Sequence, residues 1–475
     1  MTTATINQPT WAKAISHPAK EFLPTQLPII SGTIPPGICG SLYRNGPARL
    51  ERGGVRMGHW FDGDGAILAV HLNSNGATAT YRYVQTAGYQ AESLAEQLIY
   101  SNYGMTAPGK FWQKPFKPVK NAANTSVLAL PDKLLALWEG GKPHILDLQT
   151  LETIGEDDLQ GLTKGKHYSA HCKRDPNTGE IFNFGVSPGI NATLNLYKSN
   201  ATGKIVKQAA HKINGVPLVH DFVLAGQYLL FFISPVRLNL FPVLLGLKCF
   251  GEAMTWQPEK GTQILVINRE TLEIVSRTEA EAWYQWHFAN GYVDGSGTVV
   301  VDIARYEDFQ TNKFLKEVAT GEIQTVAKSH LSRVQLNPET GKVISIEKLL
   351  DSQCEFPTVP AADVGKASRY TYLSTIQPGT NIGRELLNAI ARYDHRTNTL
   401  TTAKIGDNRY PSEPIYIPDA EDAWQGWVIT VVYDGDKDTS EVWIYDSDRL
   451  NSEPVCTLAL PSVIPHGFHG TWKSA

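Results

Sequence analysis

One short turn signature punctuates this chain: Asp or Asn, two intervening residues, then Thr. It occurs from Asp147 to Thr150, Asp175 to Thr178, Asn268 to Thr271, Asn337 to Thr340 and Asp394 to Thr397. Asp or Asn opens such a turn because its side chain bonds the backbone two residues on. Each instance lies between two strand-like runs. Ser126 to Leu130, Leu134 to Trp138 and His144 to Leu148 read as three consecutive strands, separated by Pro-Asp-Lys and Gly-Gly turns. Gln227 to Ile233, Gln263 to Asn268, Thr298 to Ile303 and Trp427 to Tyr433 read the same way. Amphipathic helical patterning is confined to Ala91 to Tyr100 and Gly383 to Ala391. Repeated meanders suit a β-propeller, which supplies a central axis; a barrel or sandwich on the same turns is the alternative. The spacing is too irregular to count blades.

Composition narrows the class. With 42% hydrophobic and 19% charged residues over 475 positions, a large core is affordable. No compositional break marks a second domain, so residues 1–475 are expected to form one, with residues 1–25 as an extended or partly ordered arm. A net charge of -4 argues against nucleic acid as a partner, and no obligate protein partner is evident. The five cysteines are odd in number and form no C-x-x-C, which fits a reducing compartment. Met1 to Pro9 lacks the apolar stretch of a secretory signal, and no apolar run reaches the roughly 20 residues needed to span a bilayer. A cytoplasmic location is expected.

Four histidines lie far apart in strand-like or tight-turn settings: His171, His220, His287 and His469, separated by 49, 67 and 182 residues. No local motif links them, so only a fold arranged around an axis would bring them together. His171, His220 and His287 sit among apolar or aromatic neighbours, where a lone polar ring is costly unless partnered. Four converging imidazoles would make a metal site without a carboxylate ligand, although imidazole alone does not name the metal. Metal-bound His usually donates its second ring N–H to a carboxylate or carbonyl. Glu139 in Leu-Trp-Glu-Gly-Gly, Glu355 in Cys-Glu-Phe-Pro and Glu413 in Ser-Glu-Pro are the candidates.

These segments, with Leu42-Tyr43-Arg44-Asn45-Gly46-Pro47, Phe61-Asp62-Gly63-Asp64-Gly65, Asn124-Thr125 and the closing His-Gly-Phe-His-Gly-Thr-Trp, come in a familiar order. From about residue 30 to the end the chain resembles the carotenoid cleavage oxygenases, in particular the cyanobacterial-type apocarotenoid oxygenases. The resemblance implies an all-β, seven-bladed propeller, with short helical and loop insertions forming a cap over the iron-bearing axial face. It implies one Fe(II) held by His171, His220, His287 and His469. His466 would be a decoy. Glu139, Glu355 and Glu413 would orient three of the imidazoles, and Thr125 would stand beside an otherwise open coordination position. Cys172 follows the first histidine where the family more usually has Pro.

The implied activity is a dioxygenase that uses O2 to cut a C=C bond of a carotenoid or apocarotenoid into aldehyde or ketone products. Alternatives are a retinoid isomerase or hydrolase on the same iron, a non-catalytic carotenoid-binding propeller, and a metal-dependent hydrolase, which would call for oxygen ligands instead. The family places an apolar patch at the tunnel mouth. The matching residues are Leu238, Leu240, Phe241, Val243, Leu244, Leu245, Leu247 and Phe250, flanked by Arg237 and Lys248. At this length the segment cannot span a bilayer but suits peripheral membrane contact; an ordinary core helix is the bland alternative. Phe61 to Gly65 has the look of a calcium loop but lacks the bidentate Glu, and reads as a tight turn.

Overall fold

A computed structural model describes residues 8–422 and 424–475. Seven antiparallel sheets of four or more strands form the blades of a β-propeller. Counted outward from the axis, blade two runs Ser126–Ala129, Leu134–Leu137, His144–Leu146 and Thr153–Glu156. Blade three runs Lys173–Arg174, Ile181–Ser187, Ala192–Ser199 and Ile205–Ile213; blade four runs Val223–Ala225, Tyr228–Ile233, Thr262–Asn268 and Ile274–Ala280. Blade five runs Tyr284–Val293, Val299–Tyr306, Ser329–Leu336 and Val343–Leu350, and blade six Cys354–Thr358, Tyr370–Thr375, Ala389–Asp394 and Thr399–Thr402.

The other two blades close the ring with strands from both ends of the chain. In blade one, Gly470–Ser474 is innermost and pairs with Gly40–Arg49 in the register Arg44↔Gly470; Asp64–Asn73, Gly76–Tyr83 and Phe22–Gln26 follow outward. In blade seven, Ile29–Gly32 adds an outer edge to Cys456–Ala459, Thr439–Asp446 and Gly426–Asp434, with Arg409–Pro411 and Ile415–Pro418 innermost. Apolar residues project from both faces of most strands because each blade is sandwiched between two others. A separate buried cluster fills each of the seven blade-to-blade gaps, for example Phe184, Phe222 and Phe231 between blades three and four. Two more clusters seat the insertions on the ring.

The recurring turn does what its sequence suggests. In each of the five turns named above the Asp or Asn side chain accepts backbone N–H groups of the following residues, as from Gln149 and Thr150 to Asp147 at 3.0 and 2.7 Å. The fifth residue then takes a positive φ: Leu151, Gly179, Leu272, Gly341 and Asn398. For leucine that backbone costs about 1–2 kcal/mol. Leu151 and Leu272 are completely buried, which contributes about 1.5–3 kcal/mol each, so burial outweighs the strain.

The insertions differ in detail from the sequence expectation. The first helix is Ala87–Ala95, four residues earlier than its apolar pattern suggests, with Thr86 capping it through Tyr89 N–H. Gly383 to Ala391 is not a helix: turns give way to the strand Ala389–Asp394. A helix at Gln310–Val318 and short ones at Leu240–Leu244 and Phe250–Ala253 complete the cap. At the N-terminus, Thr10–Ile15 is a 3-10 helix whose Trp11 is fully buried and donates to the Arg384 carbonyl; Phe22–Gln26 is extended, at the outer edge of blade one.

The positive-φ turns make a reversed ranking expected. Leu272→Ala should lose about 2–5 kcal/mol, because burial goes and strain stays. Leu272→Gly, free of the strain, should be no worse than Leu272→Ala. Denaturation midpoints of the two variants check this, and a clearly less stable glycine variant would refute the trade.

Candidate metal centre

Each blade offers one chemically distinctive side chain at or just before its innermost strand: His469, Thr125, His171, His220, His287, Glu355 and Glu413, in blade order from one to seven. The four histidines meet. The Nε2 atoms of His171 and His220 are 3.0 Å apart, those of His220 and His287 3.4 Å, and those of His287 and His469 3.0 Å. The ring centroids of His171 and His469 are 4.8 Å apart, edge to face.

The far side of three rings is committed to carboxylates. His220 Nδ1 contacts Glu139. His287 Nδ1 lies 2.5 Å from Glu355, which also accepts the Tyr306 hydroxyl at 3.0 Å and the Phe356 N–H at 2.8 Å. His469 Nδ1 lies 2.8 Å from Glu413, whose other oxygen accepts the Gly470 N–H. An Nδ1 that donates to a carboxylate leaves Nε2 with a bare lone pair. Along His220, His287 and His469 the Nε2 atoms therefore point lone pair at lone pair, an arrangement that a positive charge between them, a metal ion or a proton, turns favourable. The spacing agrees: two nitrogens about 2.1 Å from one ion, at right angles, stand about 3 Å apart.

The electrostatics fit a divalent ion. Burial, then the neighbouring imidazoles, push His171 and His287 well below the ordinary histidine range, which favours the neutral ring, the form able to coordinate a metal. Burial also pulls His220 down, but Glu139 outweighs it and the net shift is upward. Burial lifts the Glu355 carboxyl to about 7. Burial acts on Glu413 in the same sense, but His469 and Arg44 overcome it and hold that carboxyl low. With all three ionised, the glutamates and Arg44 leave two negative charges in excess around the nitrogens, the complement of a divalent cation.

Arg44 and Asn45, present in the sequence only as part of a motif, hold the blade-one side of the site. Arg44, lowered to about 10 by burial, donates to the carbonyls of Glu413 and Phe468 at 2.9 and 3.0 Å. Asn45 donates its side-chain amide to the carbonyls of Ala123 and Ser126 at 3.0 and 2.9 Å, and its N–H to the His469 carbonyl at 2.9 Å. Nothing local in the sequence signals these partners, which are at least 78 residues away.

The other residues singled out in the sequence fall into place. Thr125 lines the same cavity as the histidines, its hydroxyl on Asn124 at 3.2 Å and its carbonyl accepting the His469 N–H. His466 is turned away: its Nε2 donates to the Trp11 carbonyl at 2.9 Å, and burial lowers it to about 4. Asp62 and Asp64 make no calcium loop, since Asp62 accepts the Gly104 N–H and Asp64 is paired with Lys120 and Arg52.

The cavity holds about 620 Å³, the size of a drug-like ligand site. Trp60, Phe61, Tyr103, Trp286, Phe356 and Phe468 form aromatic walls near the histidines, and Phe314 and Leu315 of the cap cover them. Leu238, Leu240, Val243, Leu244 and Phe250 line it too, so the cavity reaches from the nitrogen cluster to the segment expected to meet a membrane. Phe241 and Leu247 of that segment are exposed, Leu245 is half-buried, and Arg237 is turned inward onto the carbonyls of Ser234 and Val236.

His220→Ala or His469→Ala should abolish stoichiometric metal uptake, measured by elemental analysis. His466→Ala should keep its metal but unfold at lower temperature, because it releases Trp11. Metal loss in His466→Ala, or full retention in His469→Ala, would contradict the assignment.

Comparison with known proteins agrees with this geometry. The family described as retinal pigment epithelial membrane protein matches residues 15–474. The chain is 32% identical to the apocarotenoid-15,15'-oxygenase of Synechocystis over 93% of its own length and 92% of that protein's. It is 28% identical to resveratrol cleavage oxygenase 1 of Aspergillus fumigatus, over 93% and 91% of the two chains. A solved structure of the Synechocystis apocarotenoid oxygenase in cobalt-substituted form superposes with a TM-score of 0.90 at 30% identity, covering 98% of each chain. The chain belongs to the retinal pigment epithelial membrane protein family, that of the carotenoid cleavage oxygenases.

Proposed function

We propose that the protein is a non-heme Fe(II) dioxygenase that cleaves one C=C bond of a carotenoid or apocarotenoid into two carbonyl products. The observation that carries this reading is the set of Nε2 lone pairs, fixed by carboxylates on the opposite ring nitrogens and opening into an apolar cavity. His171, His220, His287 and His469 would hold the ion, with Glu139, Glu355 and Glu413 orienting the last three rings. When bound, Fe(II) would supply the activation of dioxygen that a closed-shell alkene needs.

The protein's own residues do the rest. The aromatic walls take up an extended polyene and exclude water. The charged groups at the cavity wall, Arg44 and the three glutamates, are already engaged as described, so the wall favours an apolar substrate over a charged one. Thr125 stands at the one blade between His469 and His171 that offers no nitrogen, and would border dioxygen bound on that side of the ion. Addition of O2 across the double bond breaks it and leaves one oxygen atom on each carbon. The oxidising capacity of one dioxygen is fully used, so no external reductant is required. The names of relatives point the same way, among them carotenoid 9,10(9',10')-cleavage dioxygenase 1 of Arabidopsis thaliana.

A polyene reaches this cavity from a membrane. No helix among the described residues is long and apolar enough to cross one. Instead Phe241, Leu244 and Leu247 stand exposed, and a neighbouring stretch extends the patch with exposed Phe111, Trp112 and Phe116. The two are joined where the Phe116 N–H donates to the Leu244 carbonyl at 2.9 Å. Exposed Lys110, Lys117 and Lys248 rim the patch, and each basic residue near an anionic lipid surface contributes about 1 kcal/mol. The occupant proposed here is therefore a lipid bilayer, with the inner side of the same segment opening on the cavity.

Two measurements test the reading. The Fe(II)-loaded protein with a β-apo-carotenal should bleach the visible absorbance while consuming oxygen, and product masses should place one oxygen on each fragment. Bleaching that persists without iron or oxygen, or none at all, would overturn the assignment. In vesicle flotation, Phe241→Glu with Leu247→Glu should release the protein from phosphatidylserine-containing liposomes, whereas binding equal to the parent would remove the membrane proposal.

A further inference from the structure

Asp221 follows His220 directly and makes contact beside two other histidines. Its Oδ1 accepts the Lys173 ammonium at 2.8 Å, and Lys173 lies two residues after His171. Its Oδ2 accepts the N–H of Phe288 at 3.1 Å, the residue after His287. The adjacent Phe222 N–H reaches Oδ1 at 2.7 Å. One carboxylate thus gathers the inner strands of blades three, four and five at the point where each presents its histidine. Asp221 is only 4% exposed, so water does not replace a contact that is broken.

His171 is the one histidine of the four without a glutamate on Nδ1. Asp221 is 4.0 Å from that nitrogen, beyond hydrogen-bonding distance. The placement of His171 comes from its flanks instead. Its own N–H donates to Ser169 Oγ at 3.2 Å, Ser126 Oγ donates to the Ala170 carbonyl, and Lys173 is clamped to Asp221.

The geometry points to Asp221 as a positioning residue of the metal centre. It sets the mutual placement of His171, His220 and His287 through Lys173 and the Phe288 N–H, without touching an imidazole. The inference rests on the metal centre of the proposed function. A merely structural role, as one more buried carboxylate at a blade junction, predicts a lower unfolding temperature and an unchanged metal site.

The test compares the parent chain, Asp221→Ala and Asp221→Asn. Co(II) affinity is measured by chelator competition, the visible Co(II) bands report the ligand field, and melting is followed without metal. Asp221→Ala should bind Co(II) 10–100-fold more weakly, the usual range for a residue that supports metal ligands, with shifted bands and a still cooperative melt. Asp221→Asn keeps an acceptor for Phe288 but turns donors toward Lys173, and should fall between. Should Asp221→Ala fail to fold, Asp221→Asn decides. A folded variant with parental affinity and bands overturns this inference alone. A parent that takes up no Co(II) or Fe(II) overturns both this inference and the metal centre beneath it.

Discussion

The structure turns on hydrogen bonds between carboxylates and the Nδ1 atoms of buried histidines. Each bond fixes a tautomer and, with it, the direction of a lone pair. Three such bonds aim the Nε2 atoms of His220, His287 and His469 along one row, with successive spacings of 3.4 and 3.0 Å. Facing lone pairs repel inside a low-dielectric core, so the focus favours a positive charge, and the blades are the frame that holds it still.

The frame works because a propeller places the start of every inner strand near one axis. Seven apolar clusters, one per blade junction, lock the blades sideways. Polar contacts then fix the inner ends, where Arg44 and Asn45 join the carbonyls of Ala123, Ser126, Glu413 and Phe468. At the far end of the cavity the short helices Leu240–Leu244 and Phe250–Ala253 bury little of their own, with Ala253 their one buried residue.

Much of this was legible in the sequence. The Asp/Asn-x-x-Thr turns follow from local side-chain chemistry, so all five appear where expected, and the short apolar runs between them are strands. The separations between the histidines required an axial fold. The count of seven blades came with the family motifs and not from the turn spacing, because insertions such as Gln310–Val318 interrupt the repeat and the first and last blades borrow strands from the opposite end of the chain. The segment from Gly383 to Ala391 carries a helix-like apolar spacing, yet its last residues pair with Tyr370–Thr375. Long-range partnerships such as Arg44 with Glu413, or Asp221 with Phe288, have no local signature, since each depends on how separate blades meet.

Ring closure has a kinetic consequence. Gly40–Arg49 is made early, but its inner partner Gly470–Ser474 follows every other blade strand in the sequence, and His469 sits immediately before that strand. While the chain is being translated, the early strand waits with an open edge and the nitrogen set stays one short. Completion of the nitrogen set must therefore await synthesis of this closing segment, which separates assembly of the site from synthesis of the blades that carry it.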